Sequence, residues 1–203
     1  MSDADRQKWQ ARYLEGAYAD RLHPSRYLEE QLSTLDLPAS YALDLACGAG
    51  RNALFLARQG FQVDAVDIAP EALRRGKAVA EREGARVRWI EHDFDKPLPD
   101  SLRDYGLIIM IRYLNLPLMQ AAADRLVGGG CLLAEVHLQT RHEVAGPSGT
   151  RFRAAAGDLE AAANAAGLII EDYSEGLHVD PDGRQVALAR LVGRAVEPVG
   201  DTP

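Results

Sequence analysis

The stretch Tyr41–Asn52, YALDLACGAGRN, joins a short apolar run carrying one acid, Asp44, to a glycine-rich turn, Gly48-Ala49-Gly50, and then to a helical pattern from Asn52 to Arg58. Glycines let a backbone turn sharply and approach a ligand with no Cβ in the way. A helix N-terminus adds amide N–H groups that the helix itself does not satisfy. The combination predicts a ligand pocket. Polar residues recur where later apolar runs end: Asp67-Ile68 after Phe61–Val66, Asp93-Phe94 after Val87–Ile90, Arg112-Tyr113 after Leu107–Ile111, and Glu135 and His137 at the end of Cys131–Val136. An acid such as Asp67 can accept both hydroxyls of a ribose. Asp93 can accept a hydrogen bond from the exocyclic amine of adenine while the Phe94 backbone or ring meets the base. Asp44, inside its run, either orients the glycine turn or reaches a cationic amine through water. These types at these places suit one nucleoside carrying an amino-acid tail.

Candidates for a second substrate are Arg112, Tyr113, His137, Arg151, Arg153 and His178. Each has a plain alternative. Arg112 and Tyr113 could support the loop after their strand, the two histidines could be satisfied polar residues, and Arg151 and Arg153 could be solvated charges, although together they could bind an anion. Near the start, Trp9, Tyr13 and Ala17 repeat at i, i+4 and i+8 with Arg12 beside them, which predicts one apolar helical stripe. That helix either packs on the body or closes over the pocket with Trp9, Arg12 and Tyr13, of which Tyr13 is the expected ligand contact. The five histidines show no metal-binding spacing such as i, i+4 on one helix, so no metal site is expected.

Elements must bring these residues together. Residues 3–20 read as a helix and Ser25–Leu35 as a second one, broken from the first by His23-Pro24 and ended before Pro38. From Tyr41 strands and helices alternate. Helices stop at Gly60 and Gly84, the second beginning at Pro70 with Glu71 in its first turn. The unbroken apolar run Leu107–Ile111 suits a parallel strand covered on both faces. Pro117–Val127 reads as a helix, and Gly128–Gly130 as a turn into a fifth strand, Cys131–Val136. Residues 138–156 have no period and read as a substrate loop. Asp158–Ala166 is a short helix, and Leu168–Glu175 with Arg184–Gly193 forms a strand pair joined through the turn residues Asp180–Gly183. The expected fold class is therefore α/β, a doubly wound and mostly parallel sheet, in which ligands sit outside the carboxyl ends of the strands. One domain over 1–203 is expected, with an N-terminal helical lid at 1–37 and a flexible tail at 194–203.

Composition narrows the function classes. A net charge of −7 argues against a broad nucleic-acid surface, which needs clustered Lys and Arg. No apolar run is long enough for a membrane span, and the polar start MSDADRQKWQ has no secretory pattern. The two cysteines, Cys47 and Cys131, are expected to stay reduced, which makes the cytoplasm the default location. A monomer and a homodimer both fit the sequence.

Taken together, DLACGAGRN, VDAVDIAP and HDFD make the chain resemble the class I S-adenosylmethionine-dependent methyltransferases. The early KWQARY, the GRN after the glycines and the tail EGLHVDPDGRQVALARLVGR are most similar to the tellurite-resistance methyltransferase group. The resemblance implies a seven-stranded sheet with its last strand antiparallel, S-adenosyl-L-methionine as cofactor, and a small-molecule methyl acceptor such as a tellurite- or selenite-type oxyanion or a thiol. On that reading Trp9, Arg12, Tyr13, Asp44, Gly48, Gly50, Asn52, Asp67, Ile68, Asp93, Phe94 and Arg112 surround the cofactor. Arg112, Tyr113, His137 and His178 face the acceptor. Two departures stand out: Ala46 where the family usually has glycine, expected to be tolerated, and Gly106 where an aspartate is common. The competing readings are a nicotinamide-dependent oxidoreductase, because Gly48–Ala53 also fits a dinucleotide fingerprint, and a non-catalytic cofactor-binding protein.

Overall fold

The computed structural model describes residues 3–197. Its centre is a seven-stranded sheet of order β3-β2-β1-β4-β5-β7-β6. The strands are β1 (Tyr41–Leu45), β2 (Gln62–Asp67), β3 (Val87–Glu91), β4 (Tyr105–Ile111), β5 (Leu126–His137), β6 (Ile169–Val179) and β7 (Gln185–Arg194). The first five pair in parallel, whereas β7 runs antiparallel to both β5 and β6. The helices are α1 (Asp3–Leu14), α2 (Arg26–Leu32), α3 (Arg51–Arg58), α4 (Pro70–Glu83), α5 (Leu116–Ala123) and α6 (Asp158–Ala165). They cover both faces, so β4 is buried along its whole length, as its apolar run requires.

One core packs Leu43, Ile108, Leu132 and Ala134 of the sheet against Leu118 and Met119 of α5 and Leu159 of α6. The other packs Leu107, Ile109 and Leu133 against Tyr27 and Leu28 of α2 and Leu56 of α3. Each such fully buried aliphatic side chain contributes about 1.5–3 kcal/mol. Among the described residues no helix is long and apolar enough to cross a membrane, and no group of His, Cys, Asp and Glu is placed to hold a metal ion.

Several sequence expectations shift. The first helix ends at Leu14 rather than near residue 20, because Gly16 (φ +91°) and Tyr18 (φ +60°) take the left-handed conformation. Tyr18 is held there with its ring against Arg12 and Arg21, at 5.6 and 5.2 Å. The second helix is shorter than predicted, ending at Leu32. Gly128–Gly130 do not form a turn into the fifth strand but lie inside β5, and α5 stops at Ala123 so that Leu126 and Val127 join the strand. The cause is the pairing with β4, which slips between Tyr105 and Leu107 while Gly129 adopts φ +76°. The strand pair is also longer than predicted, with β6 running to Val179. Of the expected tail 194–203, residues 198–203 lie outside the described residues, as do residues 1–2 of the expected lid.

Candidate active site

The carboxyl ends of β1, β2, β3, β4 and β5 bring most of the sequence-predicted residues to one edge of the sheet. β1 feeds the glycine turn, in which Gly48 (φ +57°) and Gly50 (φ +78°) are both left-handed. A Cβ built on Gly48 would lie 2.4 Å from the Tyr13 hydroxyl oxygen, so only glycine allows this approach. Ala46 is left-handed too, at φ +58°. Its presence is therefore more than a small-for-small exchange, because the conformation costs a residue with a Cβ about 1–2 kcal/mol. Gly106, the other departure, has a backbone reason: a Cβ there would meet the Ala39 carbonyl oxygen at 2.2 Å.

Asp67 ends β2 and ties the turn to the next helix. Its carboxylate accepts from the Gly48 amide at 2.8 Å and from the Ala69 amide at 2.9 Å. Burial raises its pKa, and those amides pull it back. Ile68 is buried beside it. Asp44 is 1 % exposed and its Oδ2 has no hydrogen-bond partner. Burial pushes its carboxyl up to about 8, against the opposing pull of Arg51. Such an atom is costly unless a ligand supplies a partner.

α1 lies across this region. The Tyr13 ring packs on Ala69 and Ala72, with Trp9 and Tyr18 alongside. Burial and the nearby Asp67 carboxylate raise the Tyr13 phenol far above its ordinary range, so it remains a donor. Gln10 Oε1 accepts the Glu71 amide at 2.9 Å, in the first turn of α4, and Arg75 donates to the Tyr13 carbonyl. Arg12 is exposed, its guanidinium 5.0 Å from the Trp9 ring. Beyond β3, Asp93 folds into a turn by accepting the Asp95 amide at 3.0 Å. The Phe94 ring stands between those of His92 and Tyr113, at 5.7 and 5.6 Å. Asn115 donates to the Tyr113 hydroxyl at 3.2 Å and caps α5 by accepting the Leu118 amide.

Beyond β4 and β5 lies a buried charge network that sequence reasoning resolved only in part. Arg112 leaves β4 with φ +61°. Its Nε donates to Glu135 Oε1 at 2.8 Å, its Nη2 donates to Asp180 Oδ1 at 2.5 Å, and its Nη1 is buried without a partner. Arg190 Nε donates to the other oxygen of Glu135 at 2.9 Å. Glu135 and Arg190 are cross-strand partners on β5 and β7, which is what places the pair. His137 is buried with Nδ1 unpartnered; desolvation, then Arg112 and Arg153, drive its pKa down to about 3. His178, half-buried on β6, is also lowered by desolvation, and its Nε2 lacks a partner. Arg51, absent from the predicted set, donates to the His23 carbonyl at 2.8 Å, and its pKa is lowered by burial and by Arg112. Asn52 is buried, and its Oδ1 accepts the Ser25 amide at 2.9 Å. Arg153 is not a solvated charge. It donates to the carbonyls of Pro147 at 2.8 Å, Leu138 at 3.0 Å and Ala145 at 3.5 Å, and so organises the loop after β5. Arg151 stays exposed, stacked 4.4 Å from the Phe152 ring.

The sheet order and the antiparallel β7 give the fold of the class I S-adenosylmethionine-dependent methyltransferases. Residues 42–130 match the family model described as a methyltransferase domain. An uncharacterized protein of Mycobacterium tuberculosis is 34 % identical over 91 residues, covering 44 % of this chain and 33 % of its own length. The ubiquinone biosynthesis O-methyltransferase of Xanthomonas euvesicatoria is 32 % identical over 117 residues, covering 55 % of this chain and 48 % of its own. The chain thus spans between a third and a half of these relatives. The crystal structure of TehB from Haemophilus influenzae superposes with a TM-score of 0.67 at 20 % identity, over 83 % of this chain and 60 % of that one. At that identity the likeness is one of fold.

Proposed function

We propose that the protein is an S-adenosylmethionine-dependent methyltransferase acting on a small, negatively charged acceptor. The observation that carries the cofactor reading is the unpartnered Asp44 Oδ2 buried in the strand that feeds the glycine turn. A pyrophosphate has no use for a buried carboxylate at that point, whereas the α-amine of a methionine tail does. The residues fit the rest of the group. The tail would lie along the turn at Gly48 under Tyr13, whereas Gly50 serves packing, a Cβ there meeting the Trp89 ring at 2.2 Å; Trp9 packs with Tyr13, and Arg12 stays exposed. Asp67 and Ile68 flank the ribose, and Asp93 and Phe94, with Tyr113 against the ring, take the base. Asn52, turned toward Ser25, holds the helix start in register instead of reaching outward.

When bound, the cofactor supplies an activated methyl group on a sulfonium. The chain's task is alignment and exclusion of water. α1 and the turn at Thr150–Phe152 touch where the Lys8 ammonium lies 5.3 Å from the Phe152 ring. Burial and the neighbouring arginines keep His137 and His178 neutral and make them weak bases, which suits an acceptor that arrives already deprotonated. An anionic acceptor is favoured by the charge balance beside Arg112, where Arg51, Arg112 and Arg190 face Glu135 and Asp180. Oxyanions of the selenite and tellurite type and thiolates both meet that requirement.

Calorimetry with S-adenosylhomocysteine tests the assignment. Asp67→Ala removes two charge-assisted hydrogen bonds that shape the turn, and affinity is expected to fall on the order of 100-fold. Unchanged affinity would remove Asp67 from the site. NADH fluorescence enhancement without S-adenosylhomocysteine binding would favour an oxidoreductase instead.

A further inference from the structure

Ser25 occupies the N-cap position of α2, yet its side chain makes no capping hydrogen bond. A serine there ordinarily caps the helix and contributes about 1 kcal/mol. Its hydroxyl turns instead to Glu135 Oε1, at 3.2 Å, the same oxygen that accepts from Arg112 Nε. Its backbone amide donates to Asn52 Oδ1, and the adjacent His23 carbonyl accepts from Arg51. Residues 23–25 are thus pinned to the first two residues of α3, directly after the glycine turn, and reach from there into the charge network. Ser25 is 4 % exposed and Glu135 1 %.

We infer that Glu135, held by Ser25, is a positioning residue that aims the Arg112 guanidinium at the methyl acceptor. This rests on the methyltransferase reading above. Three donors converge on the Glu135 carboxylate, from Ser25, Arg112 and Arg190, and burial makes each costly to lose. Asp180, beyond the end of β6, holds a second edge of the same guanidinium. With Nε and Nη2 engaged, the planar fork cannot rotate, and Nη1 is left as the buried N–H nitrogen without a partner. The Arg112 amide donates to the Glu135 carbonyl at 2.6 Å, so backbone and side chain are locked to the same residue. The segment that follows the α1 lid therefore contributes to both halves of the proposed site: its docking on α3 at the cofactor side delivers the hydroxyl that completes Glu135 at the acceptor side.

The two arginines on Glu135 provide an internal control, because Ser25 shares Oε1 with Arg112 whereas Arg190 uses Oε2. Side-chain Nε–H resonances of the full ¹⁵N-labelled chain with S-adenosylhomocysteine report both bonds, assigned by their loss in Arg112→Lys and Arg190→Lys. Ser25→Ala is expected to shift the Arg112 signal and speed its hydrogen exchange about tenfold, leaving the Arg190 signal in place. Ser25→Thr, which keeps the hydroxyl, restores the first signal. Equal changes at both arginines, or none at Arg112, would overturn the inference, since loosened packing of α2 does not distinguish the two oxygens. Calorimetry on the same samples reports the cofactor reading separately: a wild-type protein that fails to bind S-adenosylhomocysteine refutes that reading, while the arginine signals still judge the clamp.

Discussion

If Asp44 receives the amine of the cofactor, binding must release a proton, and the amount follows from the burial of its carboxyl. Ionising Asp44 in the uncombined protein is opposed by desolvation, which lifts the group from 3.8 to about 8, an energy on the order of 6 kcal/mol. At pH 7 roughly nine in ten molecules then hold the proton. An amine meeting Oδ2 favours the carboxylate, so S-adenosylhomocysteine should expel about 0.9 proton at pH 7 and about 0.5 at pH 8. The observed affinity should rise about fiftyfold between pH 6 and pH 8, tending to tenfold per unit at the acid end. Calorimetry in buffers of different ionisation enthalpy reads the proton count directly. Asp44→Asn, close in shape, should abolish both the proton release and the pH slope while weakening binding at pH 8. Affinity that is flat from pH 6 to 8 with no proton release would refute the pairing. The same shift has a stability consequence. Because the folded pKa is raised, the Asp44 contribution is full below about pH 4 and is lost as pH rises through 8.

Two further outcomes are expected. Ala46→Gly relieves a left-handed residue at φ +58° and should stabilise the protein by about 1 kcal/mol, read as a rise of roughly 2–4 °C in the melting midpoint. Arg153→Ala removes three donors from the carbonyls of Leu138, Ala145 and Pro147. Limited proteolysis should then cut within residues 140–150 at least tenfold faster, with the melting midpoint lowered by only a few degrees because the segment lies outside the sheet.

The sheet was legible because its parallel half carries a strong pattern. Strands such as Leu107–Ile111 are unbroken apolar runs, helices stop at Gly60 and Gly84, and the turn residues Asp180–Gly183 announce the final hairpin. The glycines within β5 were not legible, since a strand interior and a turn look alike when three glycines follow one another. What separates them is the slipped register with β4, a property of the partner strand. The residues proposed for the cofactor follow from the same pattern: Asp67 comes directly after its predicted strand, and Gly48 and Asp93 lie within three residues of the ends of theirs, so locating the strands locates the residues.

The charge network around Arg112 needed the tertiary structure. Local pattern determined that Arg112 and His137 stand at strand ends and that Arg153 lies in an irregular loop. It says nothing of the bonds from Ser25, Arg112 and Arg190 to Glu135, which span 110, 23 and 55 residues of chain. Nor does it say that Arg153 spends its donors on carbonyls of its own loop while Arg112 keeps one nitrogen unpaired. Periodicity and turn chemistry act over a few residues and so can be read along the chain. Whether a charge is solvated, paired or left over is decided by which distant groups the fold brings to it and by how much water it excludes.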